Sequence, residues 1–410
     1  MLCMGEISPQ LADNEAWVDQ TFEKCDDILH RQVYLGQGRQ EGLLVYVEVA
    51  VSNLMLEEHV IGLSDVQPLK SYAEGKAALL AGNGLLFLDG DTNCYKISSK
   101  GYPGLGVKKA ENEKVIRGSQ EAFTESEKIN VALIRKRLRD SRMKVEEQTV
   151  GVRSHTMTAL VYMEDLIYQG LLTTMKQQLQ RYEIDGILDS GMLEQLSEKH
   201  WLSPFPQFQT TQRPDRAAMA ILEGRVVLIA DNSPIALILP TDYNSFIQTS
   251  DDYYNRWEIA SLGRMLRFLA SFFAMTLPGL YLAVCNFHTQ ILPTKLLLSF
   301  AAARQGVPFP GVVEVLLMEL SFELLREAGV RLPGAMGNTI GIVGGLIIGQ
   351  AAVEANLVSP IVVIVVAFTA LCSFAVPNEE FATAFRILKF FFIAMCAWLG
   401  FFGFLMALLA

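Results

Sequence analysis

The segment PFPGVVEVLLMELSFELLREAG, residues 308–329, begins after a proline, stops at a glycine and sets Glu314, Glu319, Glu323 and Glu327 among leucines. Carboxylates so placed can do one of two things. At roughly 100° per residue on a helix, Glu319, Glu323 and Glu327 fall within about 80° of one another, while Glu314 points to another side. Such a stripe can lie in water as the wet face of an amphipathic helix at a membrane surface. It can also line a water-filled path, where acidic groups from several copies would select cations. The residues alone leave both readings open, and the candidate ion path they define is Glu314, Glu319, Glu323, Gln350 and Glu354. Gln350 and Glu354 join it because they stand four apart at the end of an apolar segment, where an ionisable group is costly unless it meets water, protein or the interface.

The same apolar segment carries Gly337, Gly341, Gly345 and Gly349 at four-residue intervals through GNTIGIVGGLIIG. This spacing keeps small residues in a slowly turning row, which predicts close helix packing of the small-xxx-small kind.

Other constellations point to no enzyme. FLDGDTNCYK places Asp89, Asp91 and Asn93 as a calcium loop begins, but Cys94 and Lys100 stand where glycine and glutamate are needed, so a hairpin turn is predicted. GYPGLG has the wrong glycine spacing for a dinucleotide loop. In IDGILDSG, Asp185-Gly186 reads as a turn and Asp189 or Ser190 as the cap of the next helix, in preference to Asp185 and Asp189 as a carboxylate pair for acid–base work. There is no GxSxG, HExxH or Walker sequence, the five histidines are scattered, and no cofactor is implied. The six cysteines show no paired spacing and are read as reduced thiols.

The elements that must hold these residues divide sharply in composition. Of 34 basic and 44 acidic residues, eight and seven lie beyond Leu262, which leaves 26 and 37 in the first 262. A charged, acidic front thus precedes a nearly neutral, apolar back, implying two solvents, water and lipid. An acidic front argues against nucleic-acid binding. In it, EGLLVYVEVAV, GNGLLFLDG and the hairpin GRVVLIADNSPIALILP read as strands; SEKINVALIRKRLRDSRMK, MEDLIYQGLLTTMKQQLQRY and DSGMLEQLSEKH read as helices. The expectation is an α/β soluble N-terminal region of two subdomains, then an all-α transmembrane helical region. The boundaries are a tail at 1–16, subdomains at 17–118 and 119–260, and a helical domain at 261–410. Expected spans are 265–287, 336–353, 358–376 and 385–410, with a short half-buried or re-entrant stretch at 291–303. The first twenty residues have no basic stretch followed by an apolar run, so no signal peptide is expected. Arg256, Arg264 and Arg267 at the start of the first span put the front on the cytoplasmic side.

The segments VIRGSQEAFTESEKINVALIRKRLRD, VGVRSHT, IDGILDSG, SPFPQFQTTQRPDRAAMAILEGRVVLIAD, DDYYNRW, AAARQGVPFPGVVEVLLMELSFELLREAGVRLP and IGQAAVEANLVSP, in this order, resemble the GerA family, the A subunits of spore germinant receptors. The resemblance runs from about Val115 to the end. It departs at Ser119 and Gln120, where the family has proline and arginine, at Gln212 for glutamate and at Asn232 for glycine. It implies a multi-pass protein of the inner spore membrane whose N-terminal domain, two α/β subdomains, faces the core. It further implies a homo-oligomer working with a transporter-like B subunit that recognises the nutrient and with a lipoprotein C subunit. The oligomer would form an ion channel that opens when germinant binds; a signal-relaying subunit without conductance is the alternative. A secondary transporter is disfavoured, because no inverted repeat is visible.

Overall fold

The computed structural model describes residues 6–35, 40–51, 66–99, 110, 113, 115, 117–331 and 335–410. GYPGLG falls outside them. The chain divides into two compact units: residues up to Trp201 with Gln207–Asp242, and Leu202–Pro206 with Tyr243–Ala410.

The first unit is built on two five-stranded sheets, and every pairing between their strands is antiparallel. Strands β1 (Ile28–Leu35), β2 (Gln40–Val47), β3 (Val66–Leu69), β4 (Gly84–Leu88) and β5 (Cys94–Ile97) form the first, in the order β1-β2-β4-β5-β3. Helices α1 (Leu11–Thr21) and α2 (Tyr72–Leu80) cover one face, where Trp17, Val18, Leu79 and Leu80 meet Leu43, Val45, Leu85 and Phe87. The FLDGDTNCYK segment is the β4–β5 turn: Asp91 Oδ1 accepts from Asn93 N at 3.0 Å, the local bond that stabilises such turns.

The second sheet runs β6-β7-β9-β10-β8, from β6 (Met143–Val150), β7 (Thr156–Met163), β8 (Gln209–Thr211), β9 (Val226–Ala230) and β10 (Ala236–Leu239). Helices lie on both of its faces. Val227 and Ile229 of β9 pack with α3 (Glu127–Arg135) and α6 (Pro214–Leu222). Val226, Leu228 and Ala230 pack with α4 (Gln169–Arg181) and α5 (Ser190–Ser197). This double burial explains why VVLIA is continuously apolar and not alternating: side chains on both faces leave water. Asp189 caps α5 through Gly191 N, and the β9–β10 turn holds Asn232 at φ 64°, a left-handed position that asparagine tolerates better than most residues. One expected helix is shorter than its pattern. SEKINVALIRKRLRDSRMK is helical only over Glu127–Arg135; the chain turns at Ser141 and Arg142, and Met143 begins β6. Alternation in MKVEEQTV wins over the helical period because its strand pairs with β7 along its whole length.

A buried ion pair joins the two sheets. Asp27 accepts from Arg135 Nε at 2.8 Å and from Arg135 NH2 at 2.7 Å, while Arg135 NH1 donates to the carbonyls of Asp140 and Met143. Both side chains are buried, so the fork geometry satisfies charges that would otherwise be costly there.

The second unit is helical: α7 (Tyr243–Ile247), α8 (Asp251–Tyr254), α9 (Trp257–Phe287), α10 (Thr294–Ala303), α11 (Gly311–Arg331), α12 (Ala335–Glu354), α13 (Pro360–Phe374) and α14 (Glu379–Leu409). Among the described residues, α9 and α14 are long and apolar enough to cross a membrane, at mean hydropathy 1.8 and 2.3. Helices α10 and α13, of 10 and 15 residues, fall short of the roughly 20 that about 30 Å of hydrocarbon requires. The long helices touch closely at Gly279: a Cβ there would stand 3.0 Å from Cys396 Sγ and 3.1 Å from the Phe392 carbonyl. Helix α14 bends at Gly400, whose φ of 61° is left-handed and whose missing Cβ leaves room for Phe287. The five described cysteines, Cys25, Cys94, Cys285, Cys372 and Cys396, are free thiols.

Candidate functional site

Helix α11 sets Glu319 and Glu323 four residues apart, and α14 sets Arg386 and Lys389 three apart, so each pair occupies one helix face. The two faces meet. Lys389 Nζ lies 2.5 Å from Glu319 Oε2 and 3.3 Å from Glu323 Oε1. Glu323 Oε2 is further approached by Arg386 NH1 at 3.5 Å and Arg326 NH1 at 3.9 Å. Arg386 also donates to Thr383 Oγ1. The Arg326 guanidinium lies 4.9 Å from the Phe374 ring centre and 3.5 Å from Ser373 Oγ, so α13 touches the network as well. Glu319 and Lys389 are 2% and 5% exposed, so the Glu319 carboxylate does not lie in water, whereas Glu323 is half-buried and Glu327 is exposed. Nor are Glu319 and Glu323 an open acidic stripe: three cationic groups stand against them. Charges in so apolar a helix assembly persist only when paired in this way.

Glu314 serves elsewhere. Fully buried, it accepts from Ser359 N at 2.8 Å, capping the start of α13, and lies 3.2 Å from Arg304 NH2. Gln350 and Glu354 are both exposed and bond to each other, Nε2 to Oε1 at 2.9 Å, apart from the network. On the glycine row, a Cβ at Gly345 would stand 3.5 Å from Phe322 and one at Gly349 3.3 Å from Val363. Gly337 and Gly341 lie on the same helix, but their surroundings fall outside the described residues. Among the described glycines of α12 the tightest approach is off the row, where a Cβ at Gly344 would stand 2.8 Å from Leu325 Cδ2. Arg386 and Lys389, at the start of the expected span 385–410, were not among the candidate site residues read from sequence. Their three-residue spacing in an otherwise apolar run was the available signal.

Outside the spans, Asp252 and Glu127 show opposite electrostatic outcomes. Asp252 of α8 accepts from Arg264 and Arg267 at the start of α9; burial alone would raise its pKa, but these hydrogen bonds outweigh it and hold the carboxyl below its ordinary value. Thus two of the three arginines that mark the span's start are already paired. Glu127, in the first turn of α3, is 1% exposed, and neither of its carboxylate oxygens has a hydrogen-bond partner. Burial, reinforced by the neighbouring Glu147, pushes its pKa up to about 8.

The fold and the network define a class: a chain with a two-sheet α/β unit and an apolar helical unit that keeps charged side chains inside. Residues 50–410 match the model of the Bacillus/Clostridium GerA spore germination protein. Spore germination protein A1 of Bacillus subtilis (strain 168) is 36% identical over 421 residues, covering 98% of this chain and 87% of that one. Spore germination protein KA of the same organism is 36% identical over 427 residues, covering 98% and 78%. An uncharacterized membrane protein of that organism, YfkQ, is 36% identical over 419 residues, covering 97% and 82%. The crystal structure of the N-terminal domain of the A subunit of the Bacillus megaterium spore germinant receptor GerK3 aligns with 58% of this chain and 98% of its own, at TM-score 0.46 and 20% identity. The chain belongs to the GerA family of spore germination proteins.

Proposed function

We propose that this chain is the A subunit of a nutrient germinant receptor of the inner spore membrane, with its sheet unit on the core side. In this reading it assembles with copies of itself, with a transporter-like B subunit and with a lipoprotein C subunit. On germinant binding its helical unit conducts cations. Family membership supports the receptor role. The observation that carries the conducting role is Glu319 and Glu323, carboxylates held inside an apolar helical unit beside cationic side chains. Several copies around an axis would bring one such pair each to a common path. The pairing itself favours a second reading, in which the network only fastens α11 to α14 and the subunit relays a signal to another that conducts. Purified chain reconstituted in liposomes, alone and with its B and C subunits, separates the two. Germinant-dependent cation flux requiring this chain supports conduction, and its absence from well-folded assemblies sinks it.

A further inference from the structure

We infer that Glu319 and Glu323 form a binding site for a monovalent cation, occupied in this conformation by the chain's own Lys389 ammonium. The inference deepens the conducting role proposed above by naming what holds the path shut. The ammonium is set as a small cation would be. One carboxylate oxygen lies at 2.5 Å, a second, from a different residue, at 3.3 Å, and the Phe390 ring centre at 5.3 Å. Glu319 Oε1, buried and without a hydrogen-bond partner, offers a further acceptor to whatever enters.

The choice of lysine matters. Its ammonium is a compact point charge on a flexible four-carbon stem, able to leave and return, whereas Arg386 and Arg326 are rigid forks suited to stay. Glu323 keeps these arginines when Lys389 withdraws, whereas among the described residues Lys389 is the ion-pair partner of Glu319. A buried carboxylate so deprived is strongly unfavourable. A free monovalent cation from the path would take the ammonium's place. Lys389 is thus a tethered competitor: movement of α14 that draws it away opens the site, and its return closes it.

Chemical rescue tests this. Lys389→Ala removes the stem and ammonium and leaves space shaped for propylammonium. The full-length variant in mild detergent should unfold at a lower temperature than the parent. Propylammonium chloride should shift the midpoint back upward, while tetramethylammonium chloride at equal ionic strength, which has no N–H to donate, should not. Adding Glu319→Gln should abolish the rescue. Equal responses to the two salts, or rescue that survives Glu319→Gln, would overturn the proposal. Lys389→Met, which keeps the volume and removes only the charge, guards against a variant that does not fold. Its midpoint should rise with rubidium chloride over N-methylglucamine chloride, and an identical response to both would count against the site. In liposomes Lys389→Met should also leak cations without germinant. Cation-specific stabilisation with no flux from any protein would leave the site standing and fault the conducting role instead.

Discussion

Lys389 Nζ stands 2.5 Å from Glu319 Oε2, joining α14 to α11 through a contact sealed from solvent. Breaking one side of such a pair leaves an uncompensated buried charge, a loss of about 3–5 kcal/mol. Glu319→Gln or Lys389→Met alone should therefore lower stability in detergent strongly, whereas the two together should lower it by much less than their sum. Additive losses would show that the two groups do not sense each other.

The same physics applies between the sheets. Asp27→Asn or Arg135→Met should each destabilise the first unit by about 3 kcal/mol or more, because Arg135 makes four hydrogen bonds and is fully buried. Hydrogen exchange should then quicken in β6 and in the segment around Cys25, which pair with each other. Unchanged protection there would mean the sheets are joined chiefly by apolar contacts.

Glu127 makes stability of the first unit depend on pH in a defined direction. Its folded pKa, about 8, exceeds the ordinary 4.5, so between these values the folded state holds a proton that the unfolded chain has released. Its stabilising share is complete below about pH 4.5 and fades as pH rises through about 8. Glu127→Gln should flatten that decline and raise stability most on the alkaline side. Parallel curves for parent and variant, measured by denaturant unfolding of the full chain from pH 5 to 9, would contradict this.

Close approach of α9 to α14 depends on Gly279, where even a Cβ would press on the Phe392 backbone. Gly279→Leu should cost about 1–3 kcal/mol and loosen the pair. Gly345→Leu should disturb α11 against α12 less, since the neighbour there is the Phe322 ring edge at 3.5 Å. Thermal unfolding of both variants in detergent checks the order, and a milder effect at Gly279 would reverse it.

Where a residue's environment is set by its own stretch of chain, the sequence was informative. The β9–β10 hairpin, the Asp189 cap and the apolar length of α9 and α14 could all be read from local pattern. The α3–β6 boundary could not, because strand pairing with β7 decided it. The carboxylate stripe was visible by spacing, but Lys389, the ammonium set against both Glu323 and Glu319, lies 66 and 70 residues away on α14. A one-dimensional pattern can mark charges in an apolar run, but it does not say which distant segment they meet. Glu314 shows the same limit, since its role rests on Ser359, 45 residues distant.

The most direct measurement is the reversal potential across a potassium chloride gradient in liposomes that hold the assembled receptor, for the parent and for Glu319→Gln/Glu323→Gln. Removing both carboxylates keeps side-chain shape while deleting the charge that would draw cations. The account predicts a cation-selective parent and a less stable variant whose assembled fraction conducts less or discriminates less between potassium and chloride. Identical flux and selectivity in the two would contradict it, leaving Glu319 and Glu323 as a fastening between helices.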